Sequence, residues 1–236
     1  MRIRTIAAVL ALAAGCGGEP SPAPAPRPAT VLAASSLREV LEEVAMEWTR
    51  RTGRRADLRF GATSTLARQI GEGAPCDVFL AAAPEWLDRV KTLERRAWLG
   101  NRLVCVVPAG ADASRFDLAR VPGLALAPEE VPAGKYARAA LAHLGVPLPS
   151  RVVYGANARD VLSKVVEGGA EAGIVYATDA AVEPRVRTAL LFPRESHPPI
   201  VYAAGVLTEA GRPFAAALRE EWALAAAARR GFEALP

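Results

Sequence analysis

The chain has few of the side chains on which many catalytic and metal sites depend. It contains three Cys and two His in 236 residues, and neither type has further ligands at metal-binding spacing. A serine hydrolase would need a Gly-x-Ser-x-Gly turn, and the sequence has none. Basic residues are interspersed with acidic ones rather than gathered with aromatics, unlike a nucleic-acid-binding surface. These absences disfavour an enzyme, a resident metal ion or cofactor, and a partner made of DNA or RNA.

The N-terminus has the pattern of an export signal. Arg2 and Arg4 precede an apolar run over 6–14, which is too short to span a bilayer. The end of this segment, Leu-Ala-Ala-Gly-Cys16, resembles a bacterial lipoprotein lipobox, in which the Cys is lipidated. We therefore predict a signal peptide over 1–16 of the lipoprotein type, with simple cleavage as the alternative. The protein would be exported to the periplasm or the cell surface.

A Pro-rich segment follows the signal peptide. Pro occupies every second position from 20 to 28, a composition that favours an extended, semi-rigid spacer. We predict a tether over 17–28 that holds a folded domain off the membrane.

The other two cysteines lie in apolar segments that have the pattern of strands. Cys76 precedes Asp-Val-Phe-Leu, and Cys105 lies within Leu-Val-Cys-Val-Val. A disulfide is possible in an exported protein, but Cys in such segments behaves as a small hydrophobe. We expect two buried free thiols.

From residue 30 onward, strand-like runs alternate with helical periodicity, which predicts parallel sheets of βαβ units. The predicted strands are 31–34, 56–60, 76–81, 103–107, 123–127, 152–154, 173–177 and 200–207. The predicted helices are 37–53, one ending at 71, 85–96, 132–144, 159–167 and 212–228. No linker interrupts the middle of the chain, so two domains would have to be joined by strands that cross between them.

Two of the predicted helices begin with hydroxyl residues. Ser36-Leu-Arg-Glu39 has the form of a capping box, and Thr63-Ser-Thr65 contains more hydroxyls than a cap needs. The first amides of a helix have no internal partner and attract anions. The motifs by themselves predict only two well-capped helices, although two such turns that face each other would form a cradle for an oxyanion. Two further helix starts, at Ala133 and Ala158, offer main-chain amides beside small residues.

Six segments, taken in order, resemble the periplasmic molybdate-binding proteins of molybdate ABC transporters. They are Ala-Ala-Ser-Ser-Leu at 33–37, Phe-Gly-Ala-Thr-Ser-Thr-Leu-Ala-Arg-Gln-Ile at 60–70, Gly-Ala-Pro-Cys-Asp-Val-Phe at 73–79, Gly-Asn-Arg-Leu-Val at 100–104, Val-Pro-Ala-Gly at 131–134 and Ala-Gly-Ile-Val-Tyr-Ala-Thr-Asp-Ala at 172–180. The resemblance implies an α/β type II periplasmic binding protein fold with two lobes, a hinge and a cleft between them. Lobe I would comprise 29–104 plus 200–236, and lobe II would comprise 105–199.

The resemblance also implies a ligand and the residues that hold it. The ligand would be molybdate or tungstate, with sulfate or another tetrahedral oxyanion as the alternative. The implied donors are the hydroxyls of Ser36 and Thr63, with Ser64 as a further candidate, the amides of Ala133 and Ala158, and the phenol of Tyr176. Molybdenum would be bound only as the oxyanion. The partners would be an ABC transporter permease and, through Cys16, the membrane, and we expect a monomer.

Overall fold

Two mixed β-sheets form the framework of the protein, which a computed structural model describes over residues 27–235. The predicted signal peptide, the lipidated Cys16 and the tether up to residue 26 lie outside the described residues. The strands are β1 (Ala29–Ala34), β2 (Ala56–Gly61), β3 (Val78–Ala81), β4 (Glu94–Asn101), β5 (Leu103–Pro108), β6 (Gly123–Leu126), β7 (Arg151–Tyr154), β8 (Ala172–Tyr176), β9 (Val186–Leu191), β10 (Ile200–Val206) and β11 (Glu233–Ala234).

The first sheet has the strand order β11-β4-β10-β3-β1-β2 and is the centre of lobe I. Strand β1 pairs in parallel with β2 and β3, whereas β10 runs antiparallel to β3 and β4. Side chains alternate between its two faces, because successive residues of a strand point in opposite directions. Val31 and Ala33 therefore enter the main core, and Leu32 enters a smaller core on the other face.

The second sheet has the order β7-β6-β8-β5-β9 and is the centre of lobe II. Strands β6, β7 and β8 are parallel, and β5 is antiparallel to β8 and β9. The sequence pattern predicted parallel sheets. That prediction holds only for the βαβ portions, because β10 in the first sheet and β5 in the second run antiparallel to both of their neighbours.

Seven α-helices pack around the sheets in the described part of the chain. They are α1 (Arg38–Thr52), α2 (Thr63–Gly71), α3 (Pro132–His143), α4 (Ala158–Val166), α5 (Ala177–Ala181), α6 (Arg212–Ala217) and α7 (Glu221–Arg229). Helix α1 buries the predicted apolar stripe, which includes Val40, Val44 and Trp48, and ends at Gly53 with φ +70°. The amphipathic periodicity thus located most of these helices correctly.

The chain crosses between the sheets twice. The first crossing lies at Arg102, the single residue between β4 and β5, and the return runs from residue 192 to 199. Strand β5 begins at Leu103, two residues before the position at which the sequence placed lobe II. Because β4 and β5 are nearly continuous, and β10 follows the return directly, motion between the lobes must be accommodated in these two short segments.

The predicted helix over 85–96 is wrong. Residues Pro84–Arg89 form a 3₁₀ turn, and Glu94–Asn101 form strand β4. Strand β10 supplies a long antiparallel partner, and this non-local pairing determines the structure of a segment whose local pattern is ambiguous. The predicted helix over 212–228 is broken into α6 and α7, and the Leu218 carbonyl at the break accepts a hydrogen bond from Trp98 Nε1 at 2.8 Å.

Strand β9 was not predicted. Its exposed residues Arg187 and Thr188 interrupt any apolar run, because it lies at the edge of the second sheet.

The prediction for the cysteines is confirmed: Cys76 and Cys105 are both buried and free. Burial raises the pKa of each thiol to about 12, which makes both unreactive.

Within residues 27–235, the helices fall short of the length and apolar character needed to cross a membrane.

Candidate functional site

A small cavity lies between the lobes, beyond the C-terminal ends of β1, β2 and β8. Ligands of α/β sheets bind at this end of the strands. The cavity is lined by Ala34, Ser35, Ser36, Gly61, Ala62, Thr63, Ala82, Val131, Pro132, Ala133, Asn157, Ala158 and Tyr176. None of these side chains is charged. The site can therefore recognise a ligand only by shape and by hydrogen bonds.

Five of the sequence-predicted site residues meet in this cavity, although they come from five separate segments. Ser36 and Thr63 approach from lobe I, and the other three approach from lobe II. Ser64 does not join them. It is half-buried and lines a neighbouring groove together with Trp86 and Arg89, because successive residues of a helix point about 100° apart.

Ser36 lies in a 3₁₀ turn, Ser35–Leu37, between β1 and α1. The predicted capping box is wrong, since no side chain caps the start of this turn or of α1. Instead, the Ser36 Oγ lies 2.9 Å from the hydroxyl of Tyr202. The turn, rather than a cap, places the hydroxyl at the cavity wall.

Thr63 is the first residue of α2 and is 2% exposed. Its Oγ1 accepts a hydrogen bond from the Ala82 amide at 3.1 Å. Because one lone pair of the oxygen is occupied in this way, the hydroxyl proton remains free to be donated into the cavity. Thr63 is thus bound to the protein by its oxygen and can act as a donor toward a ligand.

The two helix starts of lobe II present main-chain amides. Pro132, the first residue of α3, has no N–H, so Ala133 carries the first free amide of that helix. At α4, the Asn157 Oδ1 accepts from the amides of Arg159 and Asp160 at 3.0 and 3.1 Å. The Ala158 amide is left without an acceptor among residues 27–235.

Gly134 explains how the chain can turn tightly into α3. A Cβ at this position would lie 2.0 Å from the Pro128 carbonyl oxygen and 2.3 Å from that of Ala127. Both atoms belong to the backbone, so they cannot move aside cheaply. The orientation of the Ala133 amide therefore depends on the missing side chain next to it.

Tyr176 ends β8 and is 2% exposed. Its hydroxyl is buried and has no hydrogen-bond partner in the described structure. Burial raises the pKa of this phenol well above its usual value, so it keeps its proton. A buried polar group without a partner is rare and costly, and a bound ligand that accepts from this hydroxyl would satisfy it.

Sequence reasoning missed Tyr202 and Asn101, which lie behind Ser36. Asn101 Nδ2 donates to the Tyr202 hydroxyl at 3.1 Å and to the Thr178 Oγ1 at 2.8 Å. Asn101 and Thr178 fall inside two of the recognised segments but were given no role there. Tyr202 was predicted only as part of a strand, and no local pattern could have connected it with Ser36.

The family described as bacterial extracellular solute-binding protein matches residues 29–233. The chain belongs to this family. ModA, the molybdate-binding protein of Haemophilus influenzae, is 34% identical over 197 residues, which cover 75% of this chain and 77% of that protein. YvgL of Bacillus subtilis, named as an ABC transporter substrate-binding lipoprotein, is 32% identical over 193 residues, covering 76% of this chain and 74% of YvgL.

A solved structure shows the same fold. The periplasmic molybdate-binding protein of Azotobacter vinelandii superposes with a TM-score of 0.77 at 22% identity, covering 88% of this chain and 99% of that chain. The predicted family and the predicted two-lobed α/β fold of a solute-binding protein are therefore confirmed.

Within residues 27–235, helices α3 and α4 of lobe II, whose first residues line the cavity, each form an ion pair with lobe I. Arg159 of α4 pairs with Glu39 of α1, and Lys135 of α3 lies 2.6 Å from Glu85 of the 3₁₀ turn. Both pairs bring a lobe II cation to a lobe I carboxylate. They can form only while the lobes are closed, so they favour the closed state.

Arg159 also lies beside a second carboxylate, that of Asp179. Its Nε is 2.5 Å from Asp179 Oδ1, although the two groups are not aligned for a hydrogen bond. Asp179 is fully buried, and the loss of hydration raises its pKa to about 6 in spite of the nearby guanidinium. Arg159 therefore connects a carboxylate of lobe I with a buried one of lobe II.

Proposed function

We propose that this solute-binding protein captures molybdate, and tungstate with it, and delivers the anion to the permease of an ABC transporter. The observation that carries the proposal is the cavity itself. Ser36, Thr63, Ala133, Ala158 and Tyr176 bring hydroxyl and amide donors from both lobes to one small space without a charged side chain. The 34% identity with a molybdate-binding protein supports the same ligand.

The chemistry of the donors favours a fully deprotonated anion. Molybdate and tungstate carry no proton at neutral pH, so a cavity that only donates can satisfy all of their oxygens. Phosphate keeps one proton near pH 7, and that proton would need an acceptor. Sulfate, which is also fully deprotonated, could satisfy the donors equally well, and only the dimensions of the closed cavity would discriminate against it.

The number of donors is sufficient for tight binding. If five charge-assisted hydrogen bonds contribute about 2 kcal/mol each, the total of about 10 kcal/mol corresponds to a Kd of roughly tens of nanomolar. Because the donors belong to both lobes, they can all reach the anion only in the closed state. We infer that the permease recognises this closed state.

We infer binding without catalysis, since none of the cavity-lining side chains titrates near neutral pH and could serve as a general acid or base. The name of the Bacillus relative, a lipoprotein, supports lipidation of Cys16 and a protein held at the outer face of the membrane. We further propose that the protein acts as a monomer, because one chain supplies every donor.

Calorimetry of the purified protein with molybdate, tungstate, sulfate and phosphate tests the proposal. We expect tight binding of molybdate and tungstate, weaker binding of sulfate and the weakest binding of phosphate. Tight sulfate binding without molybdate heat would overturn the specific assignment and favour a sulfate-binding protein.

The second hydroxyl donor can be tested in the same assay. Thr63→Val keeps the shape of the side chain but removes its hydroxyl, so molybdate affinity should fall about tenfold. Ser64→Ala, one residue along the same helix, is the matched control and should leave it unchanged. A loss in the Ser64 variant alone would assign the contact to Ser64 instead.

A further inference from the structure

A chain of hydrogen bonds runs from lobe II to the wall of the cavity. The Nδ2 of Asn101 lies 2.8 Å from Thr178 Oγ1 and 3.1 Å from the Tyr202 hydroxyl, which in turn lies 2.9 Å from Ser36 Oγ. All four side chains are buried, with exposures of 4% or less. Asn101 is also the last residue before the crossing between the sheets. Asn101 lies between Thr178 and Tyr202 in this chain, so the donation from its amide to Tyr202 can determine the direction of the hydrogen bond between Tyr202 and Ser36.

The orientation of the Asn101 amide is fixed by the backbone. Its Oδ1 accepts from the Arg102 amide at 2.8 Å, which leaves the Nδ2 group to face Tyr202 and Thr178. An amide nitrogen can only donate, so the Tyr202 oxygen must accept. Tyr202 keeps its own proton, because burial raises the pKa of its phenol.

Only one direction of the remaining hydrogen bond satisfies every group. If Tyr202 donates to Ser36, the Ser36 hydroxyl proton is left to point into the cavity. If Ser36 donated to Tyr202 instead, the phenol proton would be buried without an acceptor, which is the more costly arrangement. The Ser36 Oγ is thus occupied as an acceptor inside the protein, just as the Thr63 Oγ1 is by the Ala82 amide.

We propose that Asn101 and Tyr202 are positioning residues that fix the Ser36 hydroxyl as a donor, and that they thereby select fully deprotonated anions. The inference rests on the proposed function of the cavity as an oxyanion site. A serine hydroxyl that is free to rotate can either donate or accept, and it would also tolerate an anion that carries a proton. With one lone pair of its oxygen occupied by Tyr202, Ser36 has its proton available to an anion oxygen and only one lone pair left that a protonated anion could donate to.

Tyr202→Phe tests this directly, because it removes the hydroxyl and keeps the ring. Calorimetry near pH 8 compares molybdate with hydrogen phosphate, two anions of equal charge of which only the second carries a proton. We expect molybdate affinity to fall about tenfold and phosphate affinity to rise or stay unchanged, so that the preference for molybdate decreases. Tyr136→Phe is the matched control, since this buried phenol packs in the same aromatic cluster but does not bond to Ser36, and it should change neither affinity.

A double-mutant cycle separates positioning from a general effect on the fold. In a Ser36→Ala background, Tyr202→Phe should have no further effect on molybdate affinity. An equal loss in both backgrounds would overturn the proposal, as would an unchanged molybdate-to-phosphate ratio in the single variant. The melting temperature of each unliganded variant verifies that it folds.

Asn101→Asp is a second variant that tests the direction of the chain. An ionised Asp accepts from Tyr202, so Tyr202 would accept from Ser36, and Ser36 would turn a lone pair toward the anion. We expect the molybdate affinity of Asn101→Asp to fall more than tenfold. Adding Ser36→Ala should partly restore it, an outcome that simple charge repulsion does not predict. Absence of binding of every dianion to the unmodified protein would instead overturn the proposed function, whereas normal binding with an unaffected Tyr202→Phe variant would overturn this inference alone.

Discussion

The two lobes contribute to the cavity in different ways. Lobe I presents the side-chain hydroxyls of Ser36 and Thr63, whose oxygens are already engaged with Tyr202 and the Ala82 amide. Lobe II presents the main-chain amides of Ala133 and Ala158 and the phenol of Tyr176, none of which has a partner among the described residues. The lobe I donors are therefore part of the folded framework, whereas the lobe II donors are satisfied only by a ligand. Substitutions in the two halves should consequently differ in their effects on stability and binding.

The largest effect is expected at the backbone of lobe II. Gly134→Ala places a Cβ within 2.0 Å of the Pro128 carbonyl oxygen, so the start of α3 must shift and carry the Ala133 amide with it. We expect molybdate affinity to fall about a hundredfold, measured by calorimetry. Gly110→Ala, where nothing lies within 4 Å of the added Cβ, should leave it unchanged, and equal losses in both variants would contradict this account.

Removal of one hydroxyl from each lobe sharpens the comparison. Tyr176→Phe and Ser36→Ala should each weaken molybdate binding about tenfold. Their effects on the unliganded protein should differ. Ser36→Ala loses the bond to Tyr202 and should lower the free energy of unfolding by about 1 kcal/mol, whereas Tyr176→Phe removes an unsatisfied buried group and should leave that free energy unchanged or raise it. Denaturant unfolding without ligand measures this difference. A destabilised Tyr176→Phe variant would show that the phenol has a structural partner.

The ion pair between the lobes should have a smaller effect. Glu39→Gln removes the lobe I partner of Arg159. The side chains of Glu39 and Arg159 are each about one-quarter exposed. The closed state loses a contact that the open state does not make, so affinity should fall about threefold. Glu42→Gln on the same helix, whose partner Arg38 is exposed and local, is the control. An equal change in the two variants would attribute the effect to net charge rather than to closure.

Asp179 should affect binding least and reveal itself in the pH dependence of stability. Its pKa of about 6 in the folded protein lies above the ordinary value of 3.8. The contribution of the protonated carboxyl to the free energy of unfolding is therefore fully present below about pH 4 and is lost as the pH rises through 6. Between pH 4 and pH 7, the free energy of unfolding of Asp179→Asn should therefore rise by about 2 kcal/mol relative to that of the unmodified protein. Thermal or denaturant unfolding across this range measures the gain, and a constant difference would rule out this titration.

The pKa of Asp77 in lobe I is lowered, whereas that of Asp179 is raised. The surroundings of the two carboxyls explain the difference. Asp77 is also buried, but it accepts from Arg27, Thr208 and the Thr30 amide, and its pKa falls to about 2, chiefly through the bond to Arg27. Asp179 has one misaligned arginine and no comparable set of donors. The number of aligned donors, rather than burial alone, thus determines which form of a buried carboxyl is stable.

The sequence was most informative where function depends on local structure. Strand ends followed by helix starts are recognisable from a short window, so Ser36, Thr63, Ala133 and Ala158 could be placed at such turns. Their roles as ligand donors were implied by the family resemblance and stay a prediction. Contacts between distant strands have no such local signal. Tyr202 reaches Ser36 across 166 positions. Strand β4 was not predicted, and its first residues were assigned to the end of a helix, because its partner β10 lies about a hundred residues further along the chain.

The position of Ala158 at the first residue of α4 has a genetic consequence. No ordinary change of side chain can delete a main-chain N–H, but proline lacks one, and a single-base change converts an alanine codon into a proline codon. The first helical position is the place where a helix accepts proline most readily, and Asn157 before it has the extended backbone that a following proline requires. One point mutation could thus yield a protein that folds and is exported normally but has lost one of its proposed anion donors, a defect that expression levels alone would not reveal.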